Sequence, residues 1–277
     1  MALFVFISWG QSDNRILTEI VIIGSGNVAT QYSYNFQDHQ NTISYEIYGR
    51  SSAQIQFPDV TLQVETDITK INLHADLYLI CVNDDAIKLI ANLLNEISIS
   101  NKAVVAHTSG TKSSELLSRY DNYGVLYPLQ TLRKEDPISF RDVPLLVTGN
   151  NTKTENLLTS IAKTISGRVT ICEDDYRSKL HLPAVVVNNF VNHLYHKAFE
   201  YCEKQRVDFS LLMPLIYETV RKISEDTDPA DLQTGPAKRD DQLTIQKHLK
   251  ILQQLNMDPE LYNALTKSII KTHTSSQ

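Results

Sequence analysis

The segment IVIIGSGNVA, from Ile20 to Ala29, constrains the fold more than any other part of the chain. An aliphatic run leads directly into a GxGxxA turn, and a helical pattern follows it. In such a turn the glycines permit a sharp bend and close approach to a pyrophosphate, while the start of the helix offers free N–H groups. A glycine-rich turn without a ligand is the alternative, but the flanking strand and helix favour a dinucleotide-binding turn. The predicted contacts are Gly24, Ser25, Gly26, Asn27 and Val28.

The front half of the chain alternates apolar runs with helical stretches, the pattern of βαβ units and a parallel sheet. The predicted strands are Glu19–Ile23, Ile43–Tyr48, Leu77–Val82, Ala103–Ala106, Gly124–Leu126, Val143–Val147 and Arg168–Cys172. After Cys172 long helical patterns take over. The sequence therefore predicts an α/β Rossmann domain with a mostly parallel, doubly wound sheet, followed by an all-α C-terminal domain. We expect an N-terminal extension at 1–14, the dinucleotide-binding domain at 15–172 and the helical domain at 173–277.

Composition narrows the classes of function. The formal net charge is −6 and the basic residues are scattered, which argues against nucleic-acid binding. The three cysteines are isolated in the sequence, so neither a metal site nor a disulfide framework is expected, and a reducing compartment is favoured. No apolar run approaches the roughly 20 residues that a membrane span needs. The apolar start, Met1 to Trp9, lacks the basic residues of a signal peptide. We therefore expect a cytoplasmic protein.

The end of the second predicted strand indicates which dinucleotide is bound. A site for NAD usually has Asp or Glu about 20 residues beyond the glycines, where the carboxylate holds the ribose 2′-hydroxyl. This chain instead has Arg50, Ser51 and Ser52 there. A guanidinium and two hydroxyls suit a 2′-phosphate. An ordinary solvated arginine is the alternative. We predict that NADP (NADPH) is the cofactor.

Two further strands are predicted to end in small polar residues at the same edge of the sheet, where ligands of such sheets collect. We expect Val82 and Asn83 after one strand, and Thr108 and Ser109 after the next, to border the nicotinamide. For Asp85, a capping role in the helix that follows is at least as well supported as a contact with the substrate. His107 is interpreted as covering its strand end. The later segment Tyr127–Thr131 is either a cleft-lining loop or a plain turn.

A mostly apolar helix is predicted over His181–Gln205, with Pro183 in its first turn. At 100° per residue, His181, Asn188 and Asn192 fall within about 40° of one another and form one polar stripe. Buried polar groups need partners, and a substrate-filled cleft would supply them. We predict that the histidine transfers a proton and that the asparagines position the substrate. Alternatively, the stripe bonds to another helix or faces solvent.

The chain also resembles a known family of Rossmann-like proteins with a DUF2520-type C-terminal domain. Their relatives include pyrroline-5-carboxylate reductase and the NADP/F420-dependent oxidoreductase-like proteins. The resemblance rests on five segments that span nearly the whole chain beyond residue 17: Ile22–Ala29, His107–Gly110, Tyr127–Thr131, the helix from His181 to His193, and Thr234–Asp240. It implies a helical C-terminal domain like that of 6-phosphogluconate dehydrogenase, commonly used for dimerisation. A homodimer through the helical domain is therefore expected, but no particular reaction.

The sequence departs from the neighbouring dehydrogenases at two places. The Lys-x-x-x-Asn pair of β-hydroxyacid dehydrogenases is absent, because Pro183 stands four positions after Lys179. In the later loop Arg239 is followed directly by Asp240, where a glycine is often found. The first departure argues against 6-phosphogluconate or 3-hydroxyisobutyrate chemistry. Asp240 or Asp241 is expected to cap the next helix.

Three functional hypotheses follow. The first is an NADP-dependent reductase or dehydrogenase that acts on a small polar metabolite. The second is a sensor or scaffold that binds NADP without turnover, since the chain has no recognisable Lys-based or Tyr-based catalytic set. The third is an oxidoreductase linked to a deazaflavin (F420). Fold-level analogy does not decide among them.

Overall fold

A computed structural model describes residues 17–51, 54–57 and 61–274 of this chain. The predicted extension at 1–14 and Ser52 lie outside the described residues. The chain divides into two compact units, one ending at Asn189 and the other beginning at Phe190.

The first unit is built on a seven-stranded sheet with the order β2-β1-β5-β6-β7-β8-β9. All neighbouring pairs are parallel except β7 and β8, which run antiparallel. A separate antiparallel hairpin, β3–β4, was not predicted. The strands are β1 Thr18–Ile23, β2 Ile43–Tyr48, β3 Gln54–Gln56, β4 Thr61–Gln63, β5 Leu77–Ile80, β6 Val104–His107, β7 Tyr123–Pro128, β8 Leu145–Gly149 and β9 Val169–Ile171.

The helices of the first unit are α1 Asn27–Phe36, α2 Ile87–Glu96, α3 Thr152–Ile165 and α4 Asp174–Ala184. A π-helical segment, Val185–Phe190, follows α4 directly. The prediction of a Rossmann domain with a mostly parallel sheet, followed by a helical region, is confirmed. The chain moves from β1 out to β2 and then back across to β5, so β1 and β5 flank the point where the strand order reverses. Ligands of doubly wound sheets bind at that point.

The central strands are apolar throughout because both of their faces are covered. In β1, Ile20 and Ile22 belong to the apolar cluster on one face of the sheet, and Val21 and Ile23 belong to the cluster on the other. This alternation follows from the two-residue period of a strand. The first cluster contains residues of α1 and α3, and the second contains residues of α2. The sheet is thus the middle layer of three.

The start of α4 differs from the sequence prediction. The helix expected to begin at His181 begins at Asp174, so Pro183 lies inside the helix rather than in its first turn. A proline in a helix interior removes one backbone hydrogen bond and crowds the preceding turn. The π-helical segment begins two residues beyond Pro183, and single π turns often mark functional sites. Residues across this segment do not keep the angular spacing of an α-helix.

The second unit contains the helices α5 Val191–Gln205, α6 Met213–Arg221, α7 Gln242–Gln254 and α8 Glu260–Thr274. Asp241 caps α7, because its carboxylate accepts hydrogen bonds from the backbone N–H and the hydroxyl of Thr244 at 3.1 and 2.7 Å. This agrees with one of the two predicted caps. Within the described part of the chain, no helix is both long and apolar enough to cross a membrane.

Amide side chains on α1 hold the long segment after β7. The Gln31 amide donates to the carbonyls of Arg133 and Asp136 at 2.6 and 3.0 Å, and its oxygen accepts from the N–H of Ile138 at 3.0 Å. Asn35, one turn later, accepts from the N–H of Phe140 at 2.6 Å. The segment that leaves the sheet edge is therefore fixed along the helix that follows the glycine turn.

Replacing Gln31 by methionine tests this attachment. Gln31 is fully buried and bonds three backbone groups, which are only part-buried, so that water can replace some of the lost hydrogen bonds. Gln31→Met should therefore lower the free energy of unfolding by about 2–4 kcal/mol, since each group that stays buried without its partner costs roughly 1–3 kcal/mol. Urea denaturation measures the change. Gln253→Met, at an exposed position of α7, is the matched control and should change stability by less than about 0.5 kcal/mol. Equal effects of the two substitutions would contradict this account.

Candidate functional site

The glycine turn joins β1 to α1 through a very close contact. Gly24 has φ of +129°, and a side-chain carbon at this position would lie 2.3 Å from the carbonyl oxygen of Cys81. Only glycine fits there without moving the backbone after β5. Burial raises the pKa of the Cys81 thiol to about 12, so it packs in the core as a neutral group. The predicted need for glycine at the first position of the turn has a direct physical cause.

The second glycine of the turn is open to a ligand. Gly26 is the N-cap of α1, no side chain caps the helix, and no acidic residue lies in its first turn. A side-chain carbon built at Gly26 would meet nothing within 4 Å. The side-chain oxygen of Asn27 accepts from the N–H of Lys134 at 3.1 Å, so it anchors the segment after β7. Free N–H groups at a positively polarised helix end fit a pyrophosphate.

The end of β2 lies beside this turn. A side-chain carbon at Gly49 would lie 3.3 Å from the hydroxyl oxygen of Ser25, so the two loops are in contact. Arg50 and Ser51 follow Gly49 and are exposed. Among the described residues Arg50 forms no ion pair with a carboxylate. The guanidinium is therefore available to a phosphate near the turn. Ser52, the third residue predicted there, lies outside the described residues.

The loops after β5 and β6 are held mainly by their own hydrogen bonds. Asn83 is exposed and Val82 is half-buried. The Thr108 hydroxyl donates to the carbonyl of Ile80 at 3.3 Å. The Ser109 hydroxyl accepts from the N–H groups of Thr111 and Lys112 at 3.2 and 3.0 Å. With the Thr108 and Ser109 side chains engaged within the loops, these two loops offer backbone groups and the exposed Asn83 side chain to a ligand.

The ring of His107 is held by contacts with neighbouring backbone groups. Burial lowers the pKa of His107 to about 4, so the ring is neutral. Its Nδ1 accepts from the N–H of Ser109 at 3.1 Å, which places the hydrogen on Nε2, 3.2 Å from the carbonyl oxygen of Ser113.

The predicted capping role of Asp85 is wrong, because Asp85 lies inside a 3₁₀ turn before α2 and is 3.6 Å from the Lys112 ammonium.

A polar pair lies where β7 meets α4. The hydroxyl of Tyr127 is 3.3 Å from Nδ1 of His181. Both side chains pack over Gly110, at which a side-chain carbon would lie 2.7 Å from the histidine Nδ1 and 2.8 Å from the tyrosine ring. Burial raises the pKa of Tyr127, so its hydroxyl keeps its proton at neutral pH. Of the two interpretations of the Tyr127–Thr131 segment, the structure supports the cleft-lining loop.

A cleft of about 620 Å³ opens beside this pair, within the first unit. Asn188 lies in the π-helical segment and donates a hydrogen bond to the hydroxyl of Thr131. The structure thus brings His181 and Asn188 to one cleft, as predicted. Asn192 lies in α5 of the second unit, where it is exposed. The polar lining residues are Tyr127, Gln130, Thr131, His181, Asn188 and Asn189.

A buried arginine fixes the helix that carries His181. The Arg177 side chain is 1% exposed and donates to the Thr148 hydroxyl at 2.7 Å, the Lys112 carbonyl at 2.6 Å and the Asp174 carboxylate at 2.7 Å. Asp174 also accepts from the hydroxyl of Ser113 at 2.7 Å. This network ties α4 to β8 and to the loop after β6. Sequence reasoning missed it, because nothing in the local pattern distinguishes a buried arginine from a solvated one.

The sequence matches a domain of unknown function (DUF2520) over residues 143–269. A search of curated proteins found no match. Among solved structures, a candidate NADP oxidoreductase from Bacteroides fragilis is 32% identical, with 92% of this chain and 98% of that chain covered and a TM-score of 0.80. A protein from Thermotoga maritima is 21% identical (93% and 99% covered, TM-score 0.64). A pyrroline-5-carboxylate reductase from Coxiella burnetii is 17% identical (94% and 98% covered, TM-score 0.54). The last two likenesses show a shared fold.

The Asp174 carboxylate allows a test of the network that fixes α4. Burial raises its pKa, but hydrogen bonds from Ser113 and Arg177 outweigh burial and hold the pKa below the ordinary 3.8. A depressed pKa stabilises the folded state above the unfolded-state value, and this stabilisation is lost as the pH falls through the folded-state value. Asp174→Asn should therefore lower the free energy of unfolding at pH 7 by about 1–3 kcal/mol, the scale for hydrogen bonds to charged groups.

The difference in unfolding free energy between the wild type and Asp174→Asn, followed by urea denaturation, should shrink as the pH falls below 3.8. Asp175→Asn is the control, since Asp175 pairs with Lys179 at the surface. Exposed pairs contribute about 0–1 kcal/mol. A difference that is constant from pH 7 to pH 3 would refute the assigned role of this carboxylate.

Proposed function

This chain belongs to the family of Rossmann-type proteins represented by the Bacteroides fragilis structure, and from that membership we propose that it is an NADPH-dependent reductase or dehydrogenase of a small polar metabolite. The observation that carries the proposal is the coincidence of two features on the first unit. One is the glycine turn, where α1 begins without a side-chain cap and Arg50 lies nearby. The other is a cleft that contains His181 and its hydrogen-bonded tyrosine.

The residues of the turn fit a nicotinamide dinucleotide. The N–H groups at the start of α1 would hold the pyrophosphate, and Gly26 leaves room for it. Arg50 and Ser51 would hold the ribose 2′-phosphate, with Ser52 adjacent in sequence. Backbone groups of Val82, Asn83, Thr108 and Ser109 would border the nicotinamide at the carboxyl edge of the sheet. The bound dinucleotide supplies or takes up a hydride, and the protein handles the accompanying proton.

His181 is the proposed proton-transfer group. An imidazole can donate or accept a proton near neutral pH. In the direction of reduction, the protonated ring (imidazolium) would give a proton to the substrate oxygen or nitrogen while the neighbouring carbon accepts the hydride, and the resulting neutral ring would then regain a proton from solvent. Asn188, which already bonds to Thr131, would orient the polar group of the substrate. The tyrosine–histidine pair beside an open cleft favours turnover over a sensor that only binds the nucleotide.

The second unit supports a further proposal, that two copies of this chain associate through it. Its described residues include large apolar side chains that are exposed in the single chain: Phe199, Val207, Leu211, Leu215, Tyr217, Val220, Ile223, Leu232, Leu243 and Leu265. Large apolar side chains exposed in this number favour an interaction surface on this unit. A homodimer would remove these side chains from water. The family that this chain resembles also leads us to expect a homodimer through the helical domain.

The choice of cofactor is tested by titration of the purified protein with NADPH and with NADH, followed by nucleotide fluorescence. Arg50→Ala should weaken NADPH binding about 10- to 100-fold, on the scale of 1.5–3 kcal/mol for a hydrogen bond to a charged group, and should leave NADH binding nearly unchanged. Arg168→Ala, which removes an exposed arginine after α3, is the control. Binding of neither nucleotide by the wild type would overturn the proposal. Equal losses for both nucleotides would overturn the role of Arg50.

Sedimentation equilibrium tests the dimer. The wild type should behave as two chains of 31.4 kDa each. Leu215→Glu, which places a charge on a 64% exposed side chain of α6, should shift the protein toward the monomer because a buried unpaired charge is costly. Leu89→Glu changes a similarly exposed leucine, 67% exposed on α2 of the first unit, and should leave the dimer intact. A monomeric wild type at micromolar concentration would end this part of the proposal.

A further inference from the structure

Tyr127 and His181 meet across 54 residues of sequence at the edge of the sheet. Tyr127 is the penultimate residue of β7, and His181 lies in α4. Their contact at 3.3 Å depends on Gly110, because any side chain there would enter the space that both rings occupy. A second tie runs in parallel, since Thr131 follows Tyr127 by one short turn and accepts from Asn188. The end of β7 and the segment after it therefore bond to both polar groups that α4 and the π-helical segment bring to the cleft.

The hydrogen bond between the two rings has a preferred direction. A phenol O–H that is half-buried needs an acceptor, and Nδ1 of His181 is the hydrogen-bond partner that the described residues provide. Burial keeps the Tyr127 hydroxyl protonated at neutral pH by raising its pKa, with the charge of Arg177 opposing and that of Asp84 adding to this shift. When the hydroxyl donates to Nδ1, the neutral imidazole carries its hydrogen on Nε2.

We propose that Tyr127 is a positioning residue that fixes His181 as the Nε2–H tautomer, so that Nε2 is the nitrogen that serves the substrate in the cleft. The inference rests on the proposed function, because it assigns the atom of His181 that acts. An N–H at Nε2 donates to a carbonyl oxygen or imine nitrogen, which is the group that gains charge in a reduction. The proposal therefore favours a substrate whose reacting group accepts a hydrogen bond.

Nitrogen NMR of the full chain, labelled with ¹⁵N at histidine and recorded without nucleotide at a pH where imidazoles are neutral, tests this assignment. The His181 resonances are identified by their loss in His181→Gln. In the wild type we expect a protonated Nε2 and an unprotonated Nδ1. In Tyr127→Phe the Nδ1 resonance should shift, and the separation between the two nitrogen resonances should narrow as both tautomers become populated. A wild-type hydrogen on Nδ1, or unchanged His181 resonances in Tyr127→Phe, would overturn the proposal.

Tyr123→Phe is the matched control. Tyr123 lies on the same strand, but its hydroxyl donates to the Glu115 carboxylate at 2.8 Å, so this variant should leave the His181 resonances in place. If Tyr127→Phe does not fold, Gly110→Ala separates the same pair sterically and should produce the same narrowing. The tautomer is measured without cofactor, so its outcome is independent of the nucleotide titration. If the proposed function is wrong, the nucleotide titration will show it. If the assigned tautomer is wrong, only the histidine NMR spectrum will show it.

Discussion

The contact between Gly24 and the Cys81 carbonyl is the constraint on which the cofactor region depends. The separation is too small for any side-chain carbon at Gly24, and the left-handed φ of this residue suits glycine alone. Close approach lets the ends of β1 and β5 lie side by side, where the strand order reverses. As a result α1 begins at the switch point with its first N–H groups uncapped. A larger residue at Gly24 would separate these strand ends.

The position of α4 beside the cleft depends on a different interaction, the hydrogen bonds of the buried Arg177. Burying the Arg177 guanidinium is costly unless hydrogen bonds and a countercharge compensate it, and Asp174 with two further acceptors provides them. This cluster fixes the first turn of α4 against the sheet. His181 lies one turn further along the same helix, so the cluster that fixes α4 also positions His181 for its contact with Tyr127. Arg177 itself is buried and is not among the residues that line the cleft.

The two halves of the site are joined by the segment after β7. Tyr127, at the end of β7, bonds to His181, and Thr131, near the start of the segment, bonds to Asn188. Its later residues bond to the amides of α1, including that of Gln31. A single stretch of chain therefore connects the helix that follows the glycine turn to the cleft.

The sequence alone determined the Rossmann architecture and the glycine turn, because two-residue and helical periodicities and the steric needs of glycine act between near neighbours. Local pattern also singled out Arg50 and His181, whose proposed roles remain predictions. The partnership of His181 with Tyr127, the burial of Arg177 and the π-helical segment after Pro183 were decided only by the tertiary structure. The first two depend on groups far apart in sequence, such as β7 and α4, whose approach is set by packing of the whole sheet. Local periodicity contains no information about that approach.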